Sequence, residues 1–456
     1  MNDHTPHPPV SDTIVAIATA TGRGAVGIVR LSGATAFAIA TQIAGAMPAP
    51  RTTGLRLFCD GAGQVLDQGL VLSFPGPRSF TGEDVVELQG HGGPVVLGEL
   101  VKATLALGAR QARPGEFSER AFLNGRIDLA QAEAIADLID ASSAQAARAA
   151  SRSLDGELSR RVNALVEELI QLRVFVEGAL DFSDEDVDWL AHAPLHERLA
   201  ALLQNLRALI AQAGQGRRLR EGLVITLAGQ PNVGKSTLLN RLAGVDAAIV
   251  TDIAGTTRDV LRENILLDGM PITVVDTAGL RESGDAIEQE GVRRAWKAIE
   301  QAELALFVVD DRVGITEVDK QLLARLPGTM PRLVIRNKCD LSGLAPEKFV
   351  EAGVVNLRLS VGSDIGMPQL HAELAGHAGM ADAGEGLFSA RGRHVDALQR
   401  ALLHSLAADQ RLRDCAMPEL AAEELREAQQ ALSEITGAFS ADDLLGRVFS
   451  QFCIGK

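Results

Sequence analysis

The rhythm of apolar and polar positions divides this chain into four stretches. From residue 10 to about 122, β-branched alternation between Gly/Pro turns predicts strands over Thr13–Ile17, Val26–Leu31 and Asp84–Gln89. A Gly90-His91-Gly92-Gly93-Pro94 break follows, and Val95–Leu107 reads as a helix, giving an α+β domain. From about 123 to 215 the texture is helical and rich in Ala and Leu. Leu158, Val162, Leu165, Leu169, Leu172 and Val176 step by four and three alternately, as in a coiled-coil seam or, more simply, a bundle core helix. Residues 218 to about 376 alternate helices with apolar strands at Leu223–Ala228, Ile272–Val275, Leu304–Val309 and Leu333–Ile335. Polar chemistry follows each strand, where open α/β sheets bind ligands. A Gly/Ala-rich stretch, Ala375–Gly386, intervenes. Helical texture then resumes with Val395, Leu398, Leu402 and Leu406 on one face. The expected fold is multidomain: an α+β domain (1–122), a discontinuous α-helical domain (123–217 and 377–456) and an inserted α/β domain (218–376). Two separate helical domains are the alternative.

Composition narrows the class. The 456 residues suit two to four domains, and 46% hydrophobic with 23% charged residues suits a soluble globular protein. No apolar run approaches the ~18 residues that span a bilayer, so no membrane insertion is expected. Met1–Pro9 is polar and Pro-rich, unlike a signal peptide. Cys59, Cys339, Cys415 and Cys453 lie far apart, which argues against a zinc cluster or disulfide framework and fits a reducing, cytoplasmic setting. A net charge of −15 means that any RNA contact needs a local basic patch. Arg217, Arg218 and Arg220 form one basic cluster and Arg391 and Arg393 another, both read as solvated linker charge.

The chemistry concentrates in the α/β stretch. Gly229-Gln230-Pro231-Asn232-Val233-Gly234-Lys235-Ser236-Thr237 follows a strand and matches the phosphate-binding loop G-x-x-x-x-G-K-[ST]. Its glycines let backbone N–H groups cradle phosphate, Lys235 supplies charge to the β/γ-phosphates, and Ser236 offers a hydroxyl to Mg²⁺. Asp276-Thr277-Ala278-Gly279 closes a strand about 40 residues later, where the Asp can hold Mg²⁺ through water and the Gly N–H can meet the γ-phosphate. Asn337-Lys338-Cys339-Asp340 closes a later strand. The Asp340 carboxylate can accept two N–H bonds from guanine, which adenine does not offer, and Ser360-Val361-Gly362 can back the base with main-chain groups. In this order and spacing the set indicates a guanine nucleotide. Between them, in Thr251-Asp252-Ile253-Ala254-Gly255-Thr256-Thr257, Thr257 is the candidate to complete the Mg²⁺ shell when γ-phosphate is present. Leu280 stands where Ras-like enzymes carry a water-orienting Gln, so hydrolysis needs a group from elsewhere. Glu282, Asp285, Glu288 and Glu290 lie just downstream, and the residues alone do not choose among them.

The chain resembles the MnmE (TrmE) family of tRNA-modification GTPases from about Asp12 to its end. Gly22-Arg23-Gly24-Ala25-Val26-Gly27-Ile28-Val29-Arg30, Phe80-Thr81-Gly82-Glu83-Asp84, Leu88–Pro94, Arg113–Phe122, Asp276–Glu282 and the terminal Phe452-Cys453-Ile454-Gly455-Lys456 carry the resemblance. It implies an N-terminal domain that binds folate and dimerises, and a two-segment helical domain carrying an inserted Ras-like G domain. It also implies a reaction. With an FAD-dependent partner, MnmG, such proteins add a carboxymethylaminomethyl or aminomethyl group to the wobble uridine (position 34) of tRNA, at the expense of GTP, with carbon from a reduced folate such as 5-formyltetrahydrofolate. Residue by residue, the family's K⁺ ligands fall on Asn232, Thr251, Ile253 (main chain) and Thr256, its Mg²⁺ ligands on Ser236 and Thr257, and its catalytic Glu on Glu288. K⁺ between paired G domains of a homodimer would replace an arginine finger. Folate contacts fall on Arg30, Glu87, Arg126 and Lys456; without the resemblance, surface ion pairs and a disordered terminus would be preferred. Two departures from the family pattern are Arg126, where Lys is also common, and Ser360-Val361-Gly362 in place of the more usual Ser-Ala. Cys453-Ile454-Gly455-Lys456 is a poor prenylation signal. The resemblance places Cys453 near folate and substrate as a candidate catalytic thiol, and a buried structural thiol is the alternative. A GTPase switch for ribosome or RNP assembly is the competing function, because a G domain alone does not separate the two.

Overall fold

The structure is a computed structural model that describes residues 12–181, 195–243, 262–267, 270–276, 302–328, 330–377, 386–414, 417–438, 442–450 and 452–455. The chain divides into two compact units: Met1–Ala136 with Val162–Val166 and Gln429–Lys456, and Asp137–Arg161 with Glu167–Ala428. Among the described residues no helix is long and apolar enough to cross a membrane.

The first unit opens with β1 (Ile14–Ile17), β2 (Gly24–Ser32), α1 (Ala36–Ala44), β3 (Thr53–Cys59), β4 (Val65–Phe74), β5 (Val85–Gly92), α2 (Pro94–Ala106), β6 (Arg110–Gln111) and α3 (Glu116–Leu123). The strands form one sheet in the order β3-β4-β5-β2-β1-β6, antiparallel except for β1 with β6. Alternation sets its two faces. Val15, Val29, Leu31, Phe58, Val71, Val86 and Leu88 pack under α1 and α2, while Ile14 and Ala16 meet Phe117 of α3. Pro94 at the first helical position starts α2 after the extended Gly93.

Helices α4 (Leu129–Ile139), α5 (Ala144–Leu154), α6 (Glu157–Asp181) and α7 (Leu195–Glu221) follow. Every seam residue from Leu158 to Val176 is buried, as the spacing predicts. The second sheet then takes β7 (Leu223–Ala228), with α8 (Lys235–Ala243), β8 (Arg262–Leu267), β9 (Met270–Asp276), β10 (Leu304–Asp310), α9 (Glu317–Arg325), β11 (Arg332–Asn337), α10 (Cys339–Ser342), β12 (Glu347–Glu351), β13 (Val354–Arg358) and α11 (Met367–His377). The strand order is β12-β13-β11-β10-β7-β9-β8, with parallel central pairs and antiparallel edges. Leu304, Leu306 and Val308 of β10 face one core with Leu238, Leu242 and Leu370. Ala305, Phe307 and Val309 face the other. A central parallel strand covered on both faces is thus a continuous apolar run.

The chain ends with α12 (Gly392–Asp414), α13 (Pro418–Thr436) and α14 (Asp442–Phe449). One expectation changes here. Val395 and Leu398 are buried, but Leu402 is half-buried and Leu406 exposed; Ala401, Ser405 and Ala408 continue the buried face. α12 packs along α7, and small side chains allow the helices to approach. The arginine clusters also depart from solvated linker charge: Arg220 and Arg391 both pair with Asp137, and Arg217 with Glu221 and Glu303. In the first unit, Phe449 and Phe452 pack with Phe122, Leu129 and Ala132.

Candidate active site

β7 delivers the chain to the phosphate loop at the carboxyl edge of the parallel strands. Gly229 has φ +141° and a Cβ there would lie 2.2 Å from the Val308 carbonyl oxygen. Gly234 has φ +102° and a Cβ would lie 2.3 Å from Asn337 Nδ2. Both positions therefore require glycine. Asn232 adopts the left-handed conformation at φ +66°, and Val233 is buried while Ser236 and Thr237 are exposed in the first turn of α8. That turn carries partial positive charge toward an anion. The Lys235 ammonium lies back across the loop, donating to the carbonyls of Gly229 (2.7 Å) and Gln230 (2.8 Å).

The base side is joined to this loop by one buried residue. Asn337, at the end of β11, donates from Nδ2 to the Val233 carbonyl at 2.8 Å. Its Oδ1 accepts from the N–H groups of Lys338 (2.8 Å) and Val361 (3.0 Å). Lys338 donates to the Asn232 carbonyl at 2.8 Å and to Asp310 Oδ2 at 2.9 Å. Hydrogen bonds from Arg312, opposed by partial burial, and from Lys338 hold the Asp310 carboxyl well below the usual carboxylate range. Asp340 is exposed in the first turn of α10. Ser360 and Ile365 exchange backbone hydrogen bonds at 2.9 and 3.0 Å, which fixes the turn through Val361 and Gly362. Burial pushes the Cys339 thiol up, and Asp340 and Asp311 add to it.

A second polar site lies on the first sheet. Arg30 and Glu87 are register partners on β2 and β5, and Arg30 Nε donates to Glu87 Oε1 at 3.0 Å. The guanidinium stands 5.8 Å from the Phe117 ring centroid. Gln89 Nε2 donates to the other Glu87 oxygen at 3.3 Å. Arg126 is exposed, and its Cγ would lie 3.3 Å from a Cβ at Gly82. The C-terminal tail reaches the same sheet. Gly455, at φ +96°, sits so close to the Ile17 carbonyl that a Cβ would fall 2.3 Å from it, and Ile17 adjoins Ala16, the β1 register partner of Arg30. The Cys453 carbonyl accepts from the Gly115 N–H at 3.3 Å, and the Cys453 side chain is exposed, not buried. Glu116, next to Phe117 in the chain, belongs to a charged cluster with Arg110 and Arg120. Burial pushes the Glu116 carboxyl up, but Arg110, the Arg113 N–H and Arg120 outweigh it and bring it down to about 2.

Two family models match the chain: GTP-binding protein TrmE N-terminus over residues 13–126, and MnmE helical domain over residues 129–453. The second covers more than half of the sequence. The chain belongs to the MnmE (TrmE) family of tRNA-modification GTPases. The tRNA modification GTPase MnmE of Thiobacillus denitrificans is 55% identical over 451 residues, 99% of this chain and 99% of that protein. The protein of that description from Hydrogenovibrio crunogenus is 53% identical over 446 residues, 98% of this chain and 99% of that one. Among solved structures, Era of Aquifex aeolicus bound to GDP·AlF4⁻ is 24% identical over 40% of this chain and 66% of its own, with a TM-score of 0.27. The expected multidomain fold, with its N-terminal α+β, helical and Ras-like G domains, holds for this MnmE-family chain.

Of the residues expected from sequence, the structure brings together Asn232 to Lys235, Asn337, Lys338 and Ser360 to Gly362, and separately Arg30 with Glu87. Asp276 closes β9 in register with Leu227, at the phosphate-loop edge. Thr251 to Thr257, Thr277 to Gly279, Leu280, Glu288 and Lys456 lie outside the described residues. Two contributors went unnoticed in the sequence. Asp310 orders Lys338, and Gln230 Nε2 donates to Thr316 Oγ1 at 2.8 Å, tying the loop to the N-cap of α9. A polar residue immediately after the apolar run Leu304–Val309 is the signal that marks Asp310.

Proposed function

We propose that this chain is a K⁺-dependent GTPase. With an FAD-dependent partner of the MnmG type, it forms the 5-carboxymethylaminomethyl or aminomethyl group on the wobble uridine of tRNA, with a reduced folate as carbon donor. The observation that carries the GTPase part is Asn337, whose side chain links the phosphate loop at Val233 to the base-side turn at Val361. A guanine-reading carboxylate, Asp340, follows three residues on.

The side chains fit the groups that this reading needs. Asn232 is exposed, and its side-chain amide oxygen is a donor it can give to K⁺, while its main-chain carbonyl accepts from Lys338; Thr251, Ile253 and Thr256 supply the other oxygens. K⁺ when bound supplies charge that an arginine finger supplies elsewhere, worth roughly 10³–10⁵ in rate. Ser236, exposed at the start of α8, and Thr257 hold Mg²⁺. Lys235 exchanges the Gly229 and Gln230 carbonyls for phosphate oxygens. Glu288 orients the attacking water in place of the missing Gln at Leu280. On the first sheet, Arg30 and Glu87 form a donor–acceptor pair suited to a pterin edge, with Arg126 and Lys456 meeting the glutamate tail. Cys453, exposed on the tail, is available to the folate chemistry. The protein acts as a homodimer in the cytoplasm, and tRNA contacts use local basic patches against the acidic background.

Three measurements test this reading. GTP hydrolysis should be much faster in K⁺ than in Na⁺, and equal rates would remove Asn232 and the Thr251–Thr256 segment from catalysis. Glu288→Ala should depress kcat while leaving GTP affinity nearly intact; a collapse of affinity would make Glu288 structural. With the FAD partner, GTP and folate, nucleoside mass spectrometry should detect modified wobble uridine. GTP turnover without product or folate binding would favour the assembly switch.

A further inference from the structure

The G domain leaves and rejoins the helical part of the second unit at two crossings, and one carboxylate holds both. At the exit, α7 runs to Glu221 and turns at Gly222, whose φ is +77° and whose N–H donates to the Arg218 carbonyl at 2.8 Å. A Cβ on Gly222 would lie 2.3 Å from the Pro271 carbonyl, so the end of α7 rests directly on the backbone of β9. β9 is the strand that ends in Asp276. At the return, Phe388 and Ala390 are fully buried. The Ser389 N–H donates to the Ala149 carbonyl at 3.1 Å, and Ser153 Oγ donates to the Ser389 carbonyl at 2.8 Å. A Cβ on Gly216 of α7 would lie 2.0 Å from the Phe388 carbonyl. The returning chain is thus threaded between α5 and α7.

Asp137, near the end of α4 and only 5% exposed, joins the two crossings. Its Oδ1 accepts from Arg220 Nε on the exit helix at 2.7 Å and from Arg391 Nη2 on the return at 2.7 Å. Its Oδ2 accepts from Ser389 Oγ at 2.7 Å. A cleft of about 210 Å³, lined by Asp137, Asp140, Ser142, Arg220, Glu221 and Ser389, adjoins the cluster and gives the Arg220 side chain room to move. A buried carboxylate shared by two cations and a hydroxyl is fully satisfied only when all three are in place, so the cluster favours one joint arrangement of both crossings.

We propose that Asp137 is a positioning residue. By holding the exit helix and the return segment together, it passes nucleotide-dependent movement of β9 and its neighbours to the helical part of the protein. The inference rests on the proposed function, in which GTP turnover drives chemistry outside the G domain.

The test uses the full-length protein with its FAD partner and compares Asp137→Asn, Arg220→Gln and Ser389→Ala with wild type. Thermal unfolding establishes that each variant folds. GTP affinity and K⁺-stimulated hydrolysis should stay within about twofold, while modified uridine per GTP hydrolysed should fall roughly 5- to 150-fold, the range of an allosteric coupling. Unchanged product per GTP, or hydrolysis and product falling together, overturns the proposal. A second readout is independent of the tRNA reaction. Spin labels placed by an encoded unnatural amino acid at the exposed positions Val318 and Leu403 report the distance between α9 and α12. That distance should shift between GDP and a GTP transition-state mimic in wild type, and the shift should shrink in Asp137→Asn. An absent shift in wild type, or an equal shift in the variant, overturns the proposal. If wild type makes no modified uridine yet shows the shift, the proposed reaction fails and the coupling stands.

Discussion

The G-domain site and the Arg30–Glu87 pair are built in different ways. In the first, most contacts are made by main chain: Lys235, Asn337 and Lys338 all bind carbonyls or N–H groups of the phosphate and base loops. Such a site depends on backbone path, so its sequence signature is contiguous and rich in glycine. In the second, side chains of two neighbouring strands meet as register partners, and the tail backbone at Gly455 comes against Ile17 of the same sheet. That pair depends on register, and its members lie 57 positions apart in the sequence. The first is held by a buried polar node, the second by a part-exposed ion pair.

Substitutions can break this contrast. The largest effect is expected at Asp340, the carboxylate proposed to read guanine. Asp340→Asn should weaken GTP by up to roughly 10⁴-fold and strengthen XTP, as expected when a site built for specific donors loses its acceptor. Competitive titration with the two nucleotides checks this, and retained GTP preference would place base recognition elsewhere. Asn337→Ala comes next. It removes three hydrogen bonds and leaves Val233 O and Val361 N–H without this partner, a loss of about 3 kcal/mol or roughly 100-fold in GTP affinity. If affinity barely moves, the node is not what joins the two loops. Arg30→Ala should act on the other site alone, weakening 5-formyltetrahydrofolate by about 10-fold through loss of one charge-assisted contact. A GTP titration on the same variant separates this local loss from unfolding.

The smallest expected effect is in pH. The Glu116 carboxyl sits at about 2 in the fold against an ordinary 4.5. A lowered folded value means that the Arg110–Glu116–Arg120 cluster stabilises fully above 4.5 and loses that contribution as pH falls toward about 2. Arg110 and Arg120 hold Asp12 below its usual range too, against its partial burial, and this adds in the same direction. Acid unfolding of the N-terminal transition should therefore be flatter in Glu116→Gln than in wild type. Equal slopes would assign the acid sensitivity to other carboxylates.

How much was legible in the sequence follows the same contrast. β7 begins and ends where the apolar run Leu223–Ala228 does, and the loop after it is read from spacing alone because the same Gly-bounded backbone path recurs wherever phosphate is cradled this way. β12 was not legible: Glu347–Glu351 is an edge strand with four exposed positions out of five, so it shows no apolar periodicity. Arg30 and Glu87 were recognisable only through family resemblance, because nothing local marks two residues as register partners across 57 positions. The Asp137 cluster joins residues 83, 252 and 254 positions apart, and its arginines look like solvated linker charge until the fold places them.

Titration of 5-formyltetrahydrofolate into the full-length protein separates a folate-dependent enzyme from a GTPase switch, which needs no folate site. Saturable binding at one site per chain is expected, weakened by Arg30→Ala, with GTP binding left in place. No binding at high micromolar folate would contradict it.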